Sequence, residues 1–355
     1  MIHTKKNNTK PLYAIDLFSG CGGLSLGLKK AGFVVTAAVE IDRKAQETYR
    51  LNHQNVRLYA QDIREVDPTE VLYEAGLKPG DLDLLAGCPP CQGFSRLRTK
   101  NQRTSVKDER NNLVADFLRF IKMMKPKTIM LENVPALVKD GRFLKMCRDL
   151  HTLGYKTAVH VLDAADYAVP QRRKRLIMLA SNVHTPLIAG KASKRITIRK
   201  ALDGLDSPES TLDKLHALGE KRSKKVRELI ALIPENGGSR TDLPAKYQLE
   251  CHKRSNGFRD VYGRMSWDHV APTITSGCCN PSKGRFLHPS QNRTITLREA
   301  AILQGFPRKY RFKVDHGKGA IALMIGNALP PPFIAAHARA LRKGLEKARA
   351  SKEAR

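Results

Sequence analysis

The sequence has no secretory leader, no apolar run of membrane-spanning length and no lipidation signal, so a membrane partner is not expected and the cytoplasm is the expected compartment. It is short of acid: 34 Asp and Glu stand against 63 Lys and Arg, a formal net charge of +29 at pH 7. That excess is larger than solubility requires and points to a polyanionic partner, nucleic acid first among them. Cysteine is sparse as well, seven residues at irregular spacing. An odd, irregular set argues against a disulfide framework and for a reducing compartment. No paired histidines complete a ligand set around Cys88 and Cys91 or the adjacent Cys278 and Cys279, so no metal is expected. Internal repeats are absent too, and the length suits one large domain or two modest ones.

What is present is an alternation. Short apolar runs at 12–17, 33–40, 82–86, 127–132, 156–162 and 175–180 read as strands, and amphipathic stretches near 23–31, 42–52, 111–124 and 141–153 read as helices. This predicts an α/β, doubly wound, mostly parallel sheet covered on both faces. The pattern changes near residue 186, where basic and loop-rich sequence surrounds a long charged helix predicted over 211–233. Regular structure returns with helix-like segments at 296–303, 317–325 and 333–350.

Chemistry concentrates where strands end. After the run Leu82–Ala86 comes Gly87-Cys88-Pro89-Pro90-Cys91-Gln92-Gly93-Phe94-Ser95. Two prolines fix φ and remove two backbone donors, so the chain must leave the sheet with Cys91 at its carboxyl edge. Ligands of open α/β sheets gather at that edge. Cys88 reads more simply as a small, buried strand-end residue. The loop from Ser95 to Arg110 carries Arg96, Arg98, Lys100, Arg103 and Lys107, charge enough to close over a phosphate backbone.

Earlier in the chain, strand 12–17 runs into the turn Gly20-Cys21-Gly22-Gly23. Its glycines allow a ligand close to backbone amides. Position 25 is serine, so the third glycine of a dinucleotide fingerprint is missing and the turn suits any nucleotide-like cofactor. Glu40 lies 20 residues beyond Gly20, where a carboxylate can accept both hydroxyls of a ribose. Gln171, Arg173 and Arg175 occupy alternate positions and share one face of an extended segment. Glu132 closes the apolar run Thr128–Leu131.

The segments Asp16–Gly23, Gly87–Ser95, Leu131-Glu132-Asn133-Val134, Gln171–Arg175 and Gly326-Asn327-Ala328-Leu329-Pro330, in this order, resemble the cytosine-C5 DNA methyltransferases of bacterial type. Only about 186–260 has no counterpart. The resemblance implies a Rossmann-like class I methyltransferase fold with a smaller, irregular target-recognition domain: a catalytic and cofactor-binding domain at 1–185, target recognition at 186–316, and C-terminal helices at 317–355 that return to the first domain. It implies S-adenosylmethionine as cofactor. Phe18 would pack on the adenine, Gly20, Gly22 and Gly23 border the methionine part, and Glu40 hold the ribose. Asp62 and Ile63 would read the adenine edge, and Asn327 close the pocket.

For the reaction, the resemblance implies attack by Cys91 on carbon 6 of a flipped cytosine, Glu132 donating at N3, Arg175 at O2, and Arg173 positioning the loop or a phosphate. Ser95, Arg96, Arg98, Gln171, Thr273 and Thr275 would contact substrate. The implied partners are double-stranded DNA and a cognate restriction endonuclease that acts on the same site without a stable complex, with the chain itself a nucleoid-associated monomer. Two alternatives stay open: a transfer RNA cytosine-C5 methyltransferase with the same catalytic motifs, and a non-catalytic nucleic-acid-binding protein.

Overall fold

In the computed structural model, residues 10–90, 113–247 and 260–354 are described. Strands and helices alternate as β1 (Leu12–Leu17), α1 (Gly23–Lys30), β2 (Phe33–Val39), α2 (Arg43–Asn52), β3 (Arg57–Tyr59), α3 (Pro68–Glu74), β4 (Leu84–Gly87), α4 (Leu113–Met124), β5 (Thr128–Asn133), α5 (Gly141–Thr152), β6 (Lys156–Asp163) and β7 (Lys174–Ser181). Three helix starts are fixed by aspartates whose side chains accept backbone N–H bonds: Asp42 from Ala45, Asp67 from Thr69 and Asp140 from Arg142, at 2.8, 2.8 and 2.9 Å.

The seven strands form one sheet in the order 3-2-1-4-5-7-6. The pairings from β3 through β5 are parallel, and β7 runs antiparallel to both β5 and β6. Side chains two apart share a face. Ile15, Leu17, Leu85, Ile129 and Leu131 therefore meet Phe117 and Phe120 of α4 and Phe143 of α5 on one side. Ala14, Leu84, Ala86 and Met130 meet Leu24 and Leu28 of α1 on the other. Burial on both faces is why these strands read as unbroken apolar runs.

Beyond the sheet come α6 (Ile198–Leu202), α7 (Lys224–Leu232), α8 (Leu297–Leu303), α9 (Gly317–Asn327) and α10 (Pro331–Glu353). The long helix predicted over 211–233 is not formed; only its last part, α7, is helical. Tertiary contacts override the local pattern before it. Asp213 is claimed by Arg298, and His216 bonds to Thr296 Oγ1 at 2.6 Å and to the carbonyl of Asp206 at 2.9 Å. The helix then begins where Ser223 caps it.

A core of α8 and α9 side chains gathers Met265, Ile274, Phe286, Phe306, Tyr310 and Phe312. The last helix comes back to the sheet. Phe333, Ile334, Ala338 and Leu341 of α10 join the α1 side of the sheet core, and Arg342 donates to the carbonyl of Ala31 at 3.2 Å. One stretch of the described residues is long and apolar enough for a membrane span by length and composition alone. It is Val314–Glu353, with a mean hydropathy of 1.4 in its most apolar window. That window is 61% buried inside the protein, as expected for core-packing helices.

Candidate active site

Strand order reverses between β1 and β4, since β2 lies on one side of β1 and β4 on the other. The crevice beyond their carboxyl ends is where an open α/β sheet holds its ligand. The chain leaves β1 through Phe18, a half-buried residue at φ +62°, and then Gly20 at φ +55° and Gly22 at φ +96°. A left-handed phenylalanine is a strained backbone position, and such strain gathers at functional sites. Gly22 admits no side chain: a Cβ there would lie 2.3 Å from His53 Nε2 and 2.6 Å from the Tyr310 hydroxyl. A Cβ on Gly20 would meet nothing within 4 Å, so this turn borders open space.

Glu40, just past β2, holds the turn in shape. Its Oε2 accepts from Gly20 N at 2.7 Å and its Oε1 from Asp42 N at 2.8 Å. Burial pushes its carboxyl pKa up, with the two backbone bonds opposing. Asp62 is clasped by Arg64 through bonds of 3.0 and 2.6 Å, which hold its carboxyl below the usual range. Ile63 beside it is buried and gives its carbonyl to Arg119 at 2.6 Å. Asn327 ends α9 with an exposed side chain. It belongs to the same edge, because a Cβ on Gly23 would stand 2.6 Å from the carbonyl of Leu329.

Beneath the turn lies a polar network that the sequence did not reveal. Ser25 Oγ donates to Asp16 Oδ2 at 2.6 Å and shares a 2.7 Å bond with the Tyr49 hydroxyl. Burial raises the Asp16 carboxyl to about 7. His53 Nε2 meets both the Gly22 carbonyl and the Tyr310 hydroxyl at 3.1 Å. The polar Ser25 in an otherwise apolar helix face was the available signal.

The second cluster sits at the ends of β4, β5 and β7. Glu132 is 2% exposed, and burial raises its pKa against the pull of Arg175, Cys88 and Arg173. Arg175 Nε lies 3.0 Å from Glu132 Oε1, and the Cys88 thiol donates to Oε2 at 3.1 Å. Asn133 ties the neighbouring turn down by donating to the carbonyl of Pro89 at 2.8 Å. Cys91, Ser95, Arg96 and Arg98 lie outside the described residues. A buried carboxyl whose pKa is pushed up, beside a guanidinium, has the chemistry to supply a proton to a ring nitrogen and a hydrogen bond to an adjacent oxygen.

Two residues of the alternating segment, Gln171 and Arg173, are bonded to the protein itself. Gln171, expected at substrate, is fully buried. It donates to the carbonyl of Leu303 at 3.1 Å and to Gln304, and accepts from Ile274 N at 2.9 Å, so its amide is committed to the protein. Arg173, expected to position the loop or a phosphate, is likewise held by the protein. It is 3% exposed and donates to the carbonyls of Ile274 and Gly326 at 3.0 and 2.9 Å. The shared face exists but turns inward, while Arg172 and Lys174 face out. This pairing carries Thr273 and Thr275 to the edge with exposed side chains, Thr273 Oγ1 donating to the carbonyl of Arg172 at 2.7 Å. Gly326 packs so closely there that a Cβ would lie 2.3 Å from Ser276 N.

Comparison with known proteins gives a consistent result. The family model described as C-5 cytosine-specific DNA methylase matches residues 12–343. The chain is similar to the Type II methylase M.HgiDII of Herpetosiphon aurantiacus, 36% identical over 94% of this chain and 95% of that one. It is 34% identical to the Type II methyltransferase M.PspPI of a Psychrobacter species, over 89% of this chain and 75% of that one. Among solved structures, a prophage-encoded DNA modification methyltransferase from E. coli superposes with a TM-score of 0.69 at 26% identity, covering 94% of this chain and 99% of that one.

Proposed function

The chain belongs to the C-5 cytosine-specific DNA methylases, and from that membership we propose how its own residues carry out the reaction. It is a DNA cytosine-5-methyltransferase of the restriction-modification kind. The cofactor of our reading is S-adenosylmethionine, which when bound supplies an electrophilic methyl group. The turn suits it: Gly20 borders open space, Phe18 offers a half-buried ring, and the buried hydroxyl of Ser19 has no hydrogen-bond partner. Gly20, Gly22 and Gly23 would border its methionine part, Glu40 its ribose, Asp62 and Ile63 its adenine, and Asn327 would close the pocket. Reaching Asp62 requires Arg64 to share the carboxylate.

Carbon 5 of cytosine is a poor nucleophile, and a thiolate adding at carbon 6 activates it. We assign that addition to Cys91. As the sulfur–carbon 6 bond forms, electron density moves toward N3, and Glu132 delivers a proton there while Arg175 bonds to O2. Once carbon 5 has taken the methyl group that the bound cofactor would supply, the addition is reversed: the carbon 5 proton leaves to water, the carbon 6–sulfur bond breaks to free the thiolate, and Glu132 recovers its proton from N3. The target base lies within a duplex stack, so it must be flipped out at a cost of a few kcal/mol. Residues 186–316 would read the site, and Ser95, Arg96, Arg98, Thr273 and Thr275 contact the strand. Arg173 would position the loop or a phosphate, and Gln171 would contact substrate, from the segments that each of them joins.

The observation that carries this reading is Glu132, buried with a raised pKa between Arg175 and the turn that precedes Cys91. The Type II relatives favour duplex DNA over transfer RNA as substrate. A monomer acting on chromosomal sites shared with a cognate endonuclease, without stable complex, completes the proposal. Bisulfite sequencing of DNA from cells expressing the chain should show protected cytosines in one short sequence context. Unprotected DNA from cells making folded protein would refute it.

A further inference from the structure

In the parallel ladder Gly87 pairs with Leu131, so Cys88 and Glu132 are the next rung, and the two-residue period of adjacent strands turns them to the same side. The consequence is the 3.1 Å bond from the Cys88 thiol to Glu132 Oε2. The other oxygen, Oε1, has Arg175 Nε at 3.0 Å as an ion-pair partner but no aligned hydrogen bond from the described residues, although it is fully buried. The two carboxylate oxygens are therefore unlike. We propose that Cys88 is a positioning residue for methyl transfer: its thiol anchors Oε2 and so presents Oε1 as the oxygen that exchanges a proton with cytosine N3. This rests on the reading of Glu132 given above.

A thiol suits the task because it can donate to the carboxylate and accept weakly from the carboxylic acid, so the anchor survives both protonation states. Serine would donate in the same way and alanine would not. Among the described residues, the charged and titratable groups facing Glu132 are Cys88 from the end of β4, and Arg175 and Arg173 from β7 and the segment before it. All three favour the anion, while burial opposes it. Deleting the thiol removes one bond to the charged form, which raises the carboxyl pKa. If Glu132 must be protonated to act, the rate falls as pH rises through that pKa, and the raised value moves this fall to higher pH.

Single-turnover methylation across pH with wild type, Cys88→Ala and Cys88→Ser tests the proposal. Cys88→Ala should be slower by about tenfold on its plateau, as for one lost orienting hydrogen bond, with its alkaline limb displaced upward. Cys88→Ser should restore both. A wild-type rate and profile in Cys88→Ala would overturn the proposal, as would a Cys88→Ser variant as slow as Cys88→Ala, which would leave only side-chain volume. A wild type that transfers no methyl group would instead defeat the proposed function. The contact itself has a readout without turnover. Burial first, and the Glu132 charge and hydrogen bond after it, push the Cys88 thiol pKa up, so in Glu132→Gln, where burial alone remains, its alkylation by iodoacetamide, followed by mass spectrometry of the Cys88 peptide, should begin at lower pH. An unchanged alkylation profile would remove the basis of the proposal.

Discussion

Arg173 Nη2 donates to the carbonyl of Gly326 at 2.9 Å, joining residues 153 positions apart in the sequence. Its Nη1 donates to the carbonyl of Ile274 at 3.0 Å, so one buried guanidinium ties the approach to β7, the 271–276 segment and the end of α9 together. A lysine keeps the charge but cannot span two carbonyls. Arg173→Lys should lose about 1–3 kcal/mol for each buried carbonyl left without a donor. Its thermal midpoint should fall, and S-adenosylmethionine binding should weaken because the Gly326–Asn327 end of α9 is no longer held. Unaltered melting and binding would show that this junction is not maintained by Arg173.

Cys91→Ser should abolish methyl transfer while S-adenosylmethionine and DNA still bind, because it removes the nucleophile and leaves the glycine turn and the basic surfaces alone. Cys88→Ser should keep substantial activity. Trapping on DNA carrying 5-fluorocytosine is the check, since the adduct forms only through the attacking sulfur. A stable adduct with the Cys91→Ser protein would reassign the nucleophile.

Asp16 offers a pH signature of stability. Burial raises its carboxyl from 3.8 to about 7, so between those values the native state keeps a proton that the unfolded chain has released. The contribution of this group is complete below the unfolded value, declines as pH rises toward 7 and is level above that. Asp16→Asn removes the decline and keeps an acceptor for Ser25. Relative to wild type, the variant should gain roughly 2–3 kcal/mol between pH 5 and pH 8 by denaturant unfolding. An equal difference at the two pH values would contradict a protonated Asp16.

Specificity should be transferable. Catalytic groups meet the same cytosine whatever its neighbours, whereas base-reading groups must match each site's groove pattern. Exchanging residues 186–290 for the corresponding part of a related methyltransferase should change the methylated sequence and leave the product, 5-methylcytosine, the same. Bisulfite sequencing of a random-site library reads this directly. An active chimera still faithful to the original sequence would move recognition elsewhere.

The sheet was legible because burial on both faces leaves a local mark: runs such as Leu82–Ala86 and Thr128–Leu131 need no partner to be recognised as strands. What stayed hidden depends on pairing across the chain. The alternation of Gln171, Arg173 and Arg175 indicated a shared face but not whether it meets solvent or protein, and the inward direction follows from the clasp with Ala271–Ile274. Cys88 looked inert because its partner Glu132 arrives 44 residues later through the β4–β5 ladder. The segment before α7 carries a helical pattern that Arg298 and Thr296 defeat from more than seventy residues away. Glu132 itself was legible from its motif, and its burial then follows from standing between two strands.

The return of α10 onto α1 sets a time at which the molecule can first work. A nascent chain makes the glycine turn and α1 early, yet the side of α1 around Gly27, which packs on Ile334 and Pro331, stays uncovered until these residues have left the ribosome. At 5–20 residues per second, the roughly 300 residues between them take about 15–60 s to add. Throughout that interval this side of α1 has no covering helix, so the sheet's α1 layer is completed only when the last helix is made.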